Sequence, residues 1–364
     1  MLPRAIDLGP ESQIGSYRLI REIGRGGMGT VYEAQHSVLP RRAAIKIMHA
    51  DLRKHPGMAS RMVQEASILE DVRHPGIVRV FECNVLPDHR PWIAMELVPG
   101  ESLASRLQRR KSMPADEVAA LIANVADAMA SVHIRGIVHR DLKPDNLLLP
   151  ADEREFPVRV IDWGVARLGP HGRLTLEGLT PGTPIYMAPE QAMGKGGGPA
   201  CDLYALGVIA YEALTGHPPF DGRTLAEVVA MHLASEPAPL AELCDAPSQL
   251  CALIHRLLAK QPSERLDSVS VQKLARAIAL DLSSNAYDAL EIERPSTHAT
   301  AVPMRPWPET PEDEAVVVDP ETLETGNTEM HAVVAKPRWT PPLGRTVVPK
   351  AEHDQIAGEI IVRR

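Results

Sequence analysis

A chain of 364 residues, 44% hydrophobic but only 4% aromatic, is long enough for a two-lobed domain plus a tail, with aliphatic side chains filling most of the core. Its formal net charge of −8 speaks against a general binder of nucleic acid or of anionic membranes. The N-terminus lacks an apolar signal region and no run of about 18 apolar residues occurs, so no transmembrane segment is expected.

Residues 1–16 read as a loose leader. From Tyr17 the alternation Tyr-Arg-Leu-Ile-Arg-Glu-Ile predicts a half-buried strand. It runs into Gly24-Arg25-Gly26-Gly27-Met28-Gly29 and then a second strand-like run, Thr30-Val31-Tyr32-Glu33-Ala34. Glycines let backbone N–H groups approach phosphate oxygens with no Cβ in the way. Dinucleotide-binding folds use such glycines too, but a helix follows theirs, whereas a β-branched and aromatic segment follows here. An ordinary glycine-rich hairpin is the plainer alternative.

Ala43-Ala44-Ile45-Lys46-Ile47-Met48 then sets one lysine inside an apolar strand, where an ammonium needs an anion. A helix over 61–69 places Met62, Ala66 and Leu69 on one face with Glu65 beside it, and Glu70 roughly 140° away. It stops at His74-Pro75-Gly76. Strands are expected over 77–81 and 92–97, separated by the turn-rich 86–91. Residues 114–135 read as a helix, with Asp116 and Glu117 in its first turn and Gly136 at its end; His133 on it reads as structural.

Residues 139–146 read His-Arg-Asp-Leu-Lys-Pro-Asp-Asn. Asp141 offers a carboxylate to orient a hydroxyl, Lys143 a cation to spread charge and Asn146 an amide oxygen for a metal, the groups a phosphoryl transfer needs close together. Charged groups beside apolar 137–138 and 147–149 are expensive to place unless they act. Residues 147–149 and 158–161 form a predicted hairpin with a polar tip, and its second arm delivers Asp162-Trp163-Gly164. A carboxylate at the end of so apolar a strand finds its natural partner in a cation.

The run 139–146 resembles the catalytic loop of eukaryotic-type protein kinases, in the form with lysine two places after the aspartate that marks Ser/Thr enzymes. The glycine-rich loop and the Leu-Lys-Pro-Asp-Asn wording look most like the bacterial members. The resemblance covers residues 17–280 and implies an α+β, bilobal kinase fold. Its N-lobe, about 17–97, would be an antiparallel sheet with one key helix, and its C-lobe, about 101–280, mostly helical. ATP would be bound by Ile23, Gly24, Arg25, Gly26, Gly27, Met28, Gly29, Thr30, Val31, Ala44 and Lys46, with Glu65 as the ion-pair partner of Lys46 and Glu70 as its fallback. Backbone groups of Glu96 and Val98 would meet adenine at the hinge, where a plain core strand is the alternative. Asp141 and Lys143 would be catalytic, and Asn146 and Asp162 would hold Mg²⁺, or Mn²⁺ in its stead.

Residues 165–187 resemble the activation segment, closing in Ala188-Pro189-Glu190. Thr175 and Thr180 are the expected phosphorylation sites, and Arg140 with Arg167 would receive the phosphate. Thr183 resembles the threonine that packs near the catalytic Asp and Lys. Asp202 is expected to tie down the catalytic-loop backbone and Arg265 to pair with Glu190. Two departures stand out: Trp163 where the family has Phe, and Gln261 where it has Asp. Trp163 keeps an apolar group beside the metal ligand, so activity is expected, with the ease of switching in question.

Residues 281–364 change character, with 15 Asp/Glu against 8 Lys/Arg and scattered prolines, as in a disordered or docking tail. Thr310-Pro311 and Thr340-Pro341 are candidate sites there for a phosphothreonine-binding partner. Cys83, Cys201, Cys244 and Cys251 lack zinc-site spacing and read as reduced thiols of a cytoplasmic protein. The expectation is therefore a bacterial Ser/Thr kinase acting on protein hydroxyls. A pseudokinase scaffold and a small-molecule phosphotransferase are its rivals, disfavoured by the intact Lys, Asp and Asn positions and by the full activation segment.

Overall fold

The computed structural model describes residues 6–27, 29–51, 66, 69–152, 154–163 and 183–292, with backbone alone at 183 and 285–292. The chain divides into units 1–296 and 297–364. The second unit, which holds most of the expected tail, lies outside the described residues.

Six strands form the first sheet: β1 Gln13–Ile14, β2 Tyr17–Arg25, β3 Gly29–His36, β4 Arg42–Met48, β5 Val80–Val85 and β6 Pro91–Glu96. They run antiparallel in the order β1-β2-β3-β4-β6-β5. The period of two sorts their side chains between two cores. Ile45, Ile47, Trp92 and Ala94 join Ile14, Tyr17 and Leu19 on the outer face, while Ala44, Met48, Ile93 and Met95 belong to the core that continues into the helical lobe. Lys46 therefore lies on the inner face.

Two expectations need correction. Residues 6–16 are not a loose leader: β1 is paired, Ile14 is only 1% exposed, and the Ile6 N–H donates to the buried Asp88 carboxylate at 2.8 Å. Gly15, at φ +54°, makes the reversal, and a Cβ there would come within 2.6 Å of the Trp92 ring. The strand expected at 77–81 is displaced to Val80–Val85. Ile77 instead bridges to Val160, and the Val78 N–H reaches the Val160 carbonyl, so this apolar pair is buried at the junction of the lobes.

The helical lobe opens with β7 Gly100–Ser102 and α1 Leu103–Arg110, followed by α2 Ala115–His133. Strands β8 Leu147–Pro150 and β9 Arg159–Val160 form the expected hairpin and, with β7, a small antiparallel sheet. Then come α3 Pro189–Ala192, α4 Pro199–Thr215, α5 Leu225–Ala234, α6 Ser248–Leu257 and α7 Ser268–Ile292. Helix α4 is buried on nearly every side and forms the centre of the lobe. Helix α7 packs along α2 and runs past residue 280, the expected end of the resemblance, to Ile292. Among the described residues no helix is long and apolar enough to cross a membrane.

Candidate active site

Helix α2 ends in the Gly136 turn, at φ +74°, and hands the chain to the loop 137–143. Asp202, on the first turn of α4 and 1% exposed, fixes that loop. Its carboxylate accepts the backbone N–H of His139 at 2.8 Å, that of Arg140 at 2.7 Å, and a bond with His133 Nε2 at 2.8 Å. Burial pushes this carboxyl up, but the His133 hydrogen bond, the nearby His139 and the backbone donors together hold it below the ordinary Asp range. Arg140 pays for this geometry with a left-handed φ of +63°, and Gln191 Nε2 donates to its carbonyl at 3.1 Å. The Arg140 guanidinium turns to the Gly197 carbonyl, 3.2 Å away.

Beyond this anchor, Lys143 Nζ lies 3.6 Å from the Asp141 carboxylate. The short turn Pro144–Asn146 brings Asn146 back, and its Nδ2 donates to the Asp141 carbonyl at 2.8 Å. The amide is thereby oriented with its nitrogen on the loop backbone, and its Oδ1 is the end left to meet a cation.

Strand β4 carries Lys46, whose Nζ reaches Asp162 Oδ1 at 2.8 Å. Burial raises the Asp162 carboxyl, but the Lys46 charge and hydrogen bond, with His139 and Lys143 beyond, bring it below the usual value. Asp162 also takes a left-handed φ, +57°. His139 steadies this segment: its Nδ1 accepts the Asp141 N–H at 3.3 Å and its Nε2 meets the Ile161 carbonyl at 2.9 Å. Trp163 packs on that imidazole with ring centroids 4.8 Å apart. It is 8% exposed, and its indole N–H is buried with no partner among the described residues.

Gly24 to Gly29 form the hairpin between β2 and β3, in strand–turn–strand order, with Arg25 opposite Thr30. A Cβ on Gly24 or Gly26 would meet nothing within 4 Å, whereas one on Gly29 would strike the Ile47 carbonyl at 2.4 Å. The loop is thus open on one side and pressed onto β4 at its end. Gly27 and Ile23 are exposed, Thr30 and Ala44 are buried, and Val31 and Val98 pack against the inner core. Arg25 pairs with Glu22 at 2.7 Å. The Glu96 N–H is engaged by the Arg79 carbonyl at 2.8 Å.

Met28, Glu65, Thr175, Thr180 and Arg167 lie outside the described residues, as does the side chain of Thr183. Among those described, Lys46 is paired with Asp162, and Glu70 is exposed. Glu190 and Arg265 meet as a buried bidentate pair at 2.7 and 3.0 Å, while Gln261 provides no side-chain cap. Sequence reasoning missed the supporting roles of His139 and Gln191, and the bond from the Tyr186 hydroxyl to Glu212 at 2.7 Å. His139 stood inside the quoted motif, but its task depends on a carbonyl 22 residues away.

Asn146 and Asp162 offer oxygen donors, the kind that suits a hard divalent cation. Among the described residues no group of three or more His, Cys, Asp or Glu could hold a metal.

A family model described as the protein kinase domain matches residues 17–275. The serine/threonine-protein kinase Pkn1 of Myxococcus xanthus is 40% identical over 269 residues, 73% of this chain and 38% of that protein. The serine/threonine-protein kinase PknH of Mycobacterium bovis is 33% identical over 337 residues, covering 92% of this chain and 54% of its own length. The matched chain thus spans between about a third and a half of these relatives. Among solved structures, the PknI kinase domain of Mycobacterium tuberculosis aligns over 75% of this chain and 98% of that one, with a TM-score of 0.60 and 26% identity.

Proposed function

The chain belongs to the protein kinase family, and from that premise we propose that it transfers the γ-phosphoryl group of ATP to Ser/Thr hydroxyls of proteins in bacterial signalling. The observation that carries the reading is that the Lys46–Asp162 pair lies near enough to Lys143, itself beside Asp141 and Asn146, to feel its charge.

Asp141 orients the incoming hydroxyl and takes its proton. Lys143 faces the charge that spreads over the moving phosphoryl group. Lys46 holds the nucleotide phosphates, with Glu65 as its carboxylate partner, under a glycine loop whose open side leaves them room. Asn146 and Asp162 would hold the divalent ion the family uses, Mg²⁺ or Mn²⁺ in our reading, which neutralises phosphate charge. Ile23, Val31 and Ala44 form the adenine walls, and the Glu96–Val98 backbone its edge. Thr175 and Thr180 are the autophosphorylation sites, with Arg140 as the phosphate receiver. Four free cysteines fit a reducing compartment, the cytoplasm.

The test is incubation with γ-labelled ATP and Mg²⁺ beside Asp141→Asn and Lys46→Met, followed by mapping of the labelled residues. Wild-type label on Thr175 or Thr180, reduced roughly 10²- to 10⁴-fold in Asp141→Asn, supports the reading. Label on tail threonines as well would extend it to a phosphothreonine-binding partner. Nucleotide binding without transfer to itself or to a generic protein would overturn it in favour of a scaffold.

A further inference from the structure

Strand β4 ends at Met48, which lies opposite Gly29, and the next residue is His49. Its imidazole is half-buried and takes no part in the ion pairs of Lys46 with Asp162 and Lys143 with Asp141. Its Nε2 lies 2.8 Å from the carbonyl oxygen of Gly26, in the glycine-rich turn. A carbonyl only accepts, so the bond needs a hydrogen on Nε2, which the Nε2–H tautomer and the imidazolium both supply.

The side chains around this turn do little to hold it. Every residue of β2 from Ile20 to Arg25 is exposed, and a Cβ on Gly24 or Gly26 would find no neighbour within 4 Å. The Gly26 N–H closes the turn on the Gly29 carbonyl at 2.9 Å, a bond inside the loop that does not fix where its tip stands. Gly29 is pressed onto the Ile47 backbone, so the root of the loop is anchored on β4. Among the described residues, His49 makes the one side-chain hydrogen bond to the backbone of residues 24–27.

Glycine has more backbone freedom to lose than any other residue, so ordering an unfastened tip when a ligand arrives would weaken binding. Lys46 precedes His49 by three residues, about 10 Å of extended chain. One strand therefore leads from the lysine offered to the phosphates to the imidazole on the loop.

We propose that His49 is a positioning residue for the nucleotide phosphates: its Nε2–H, on the Gly26 carbonyl, fastens the tip of the glycine-rich loop to the strand that bears Lys46 and orders the loop before ATP arrives. This rests on the kinase reading above, in which that loop meets the phosphates. The fastening acts on ATP and on the ADP left after transfer, but not on adenosine, which has no phosphate to meet the loop.

The experiment is displacement of fluorescent N-methylanthraniloyl-ADP from the full chain by Mg·ATP, Mg·ADP and adenosine, beside steady-state phosphorylation of dephosphorylated casein. His49→Phe keeps a ring and removes the donor; His49→Gln restores an N–H at similar reach. We expect the Phe variant to weaken both phosphorylated nucleotides about three- to tenfold, the worth of one net hydrogen bond, and to raise the KM for ATP to match. Adenosine affinity and the KM for casein should stay within about twofold, and the Gln variant should recover most of the loss. Unchanged nucleotide affinity in the Phe variant, an equal weakening of adenosine, or no recovery with Gln overturns the proposal. A wild type that binds Mg·ATP but transfers nothing to casein or to itself would remove the kinase reading alone, and the displacement ratios would still decide the role of His49. A wild type that binds neither nucleotide would overturn both.

Discussion

Asp162 and Trp163 are neighbours with opposite accounts. Asp162 sits at a left-handed φ that costs an L-residue about 1–2 kcal/mol, and the Lys46 ion pair holds it there. Trp163 fills its site on His139 but leaves a buried N–H without a partner among the described residues, a loss of about 1–3 kcal/mol. The Phe usual in the family would lack that N–H and also some packing volume, and the two effects oppose each other. Trp163→Phe should therefore change unfolding free energy in urea by less than about 1.5 kcal/mol, while Trp163→Ala should lose about 3–5 kcal/mol. A large loss in the Phe variant would mean the N–H is satisfied. The sequence marked Trp163 as a departure, since one letter differs from the pattern. It could not show the orphaned N–H, which depends on what a fold brings round the ring.

Among the elements, the clasp around Asp202 ties α4 to the catalytic loop and, through His133, to α7, where His133 Nδ1 meets Ser268. The folded carboxyl binds its proton less readily than the unfolded one. Its contribution is therefore complete at neutral pH and drains away as pH falls below the ordinary 3.8 towards the lower folded value. Asp202→Asn should cost about 3–5 kcal/mol at pH 7, with the gap to wild type narrowing by pH 3 in urea titrations. A gap independent of pH would exclude the charge as its source. Asp202 was legible because its motif is local. Helix α1 was not: its eight residues bury only Leu103 and Leu107, and its start rests on a Ser102 cap that looks like any serine in a loop. The displaced strand β5 has a similar lesson, for Ile77 and Val78 are apolar on account of the lobe junction and not of the sheet.

At the scale of the whole domain, the long elements and the order of the motifs were readable, while the fastening of the N-terminal segment was not. That segment is held by Asp88, whose carboxylate takes the Ile6 N–H and the Arg90 guanidinium. Burial raises this carboxyl, yet those partners bring it below the ordinary range. Asp88→Ala should release residues 6–14, seen as faster limited proteolysis there with phosphotransfer to casein retained. Equal cleavage in both proteins would show that Ile14 and β1 hold the segment unaided.

Helix α7 carries one more consequence, for modular exchange. The likeness to the protein kinase family model ends at residue 275, but the helix continues to Ile292, with Ile278 buried and Ala279 and Leu282 against the same core. A hybrid spliced at the edge of the likeness would sever this rod in mid-course and ask a stranger's side chains to cover α2. The unit that can be traded between such proteins is set by where packing ends, and the family model's match stops short of it.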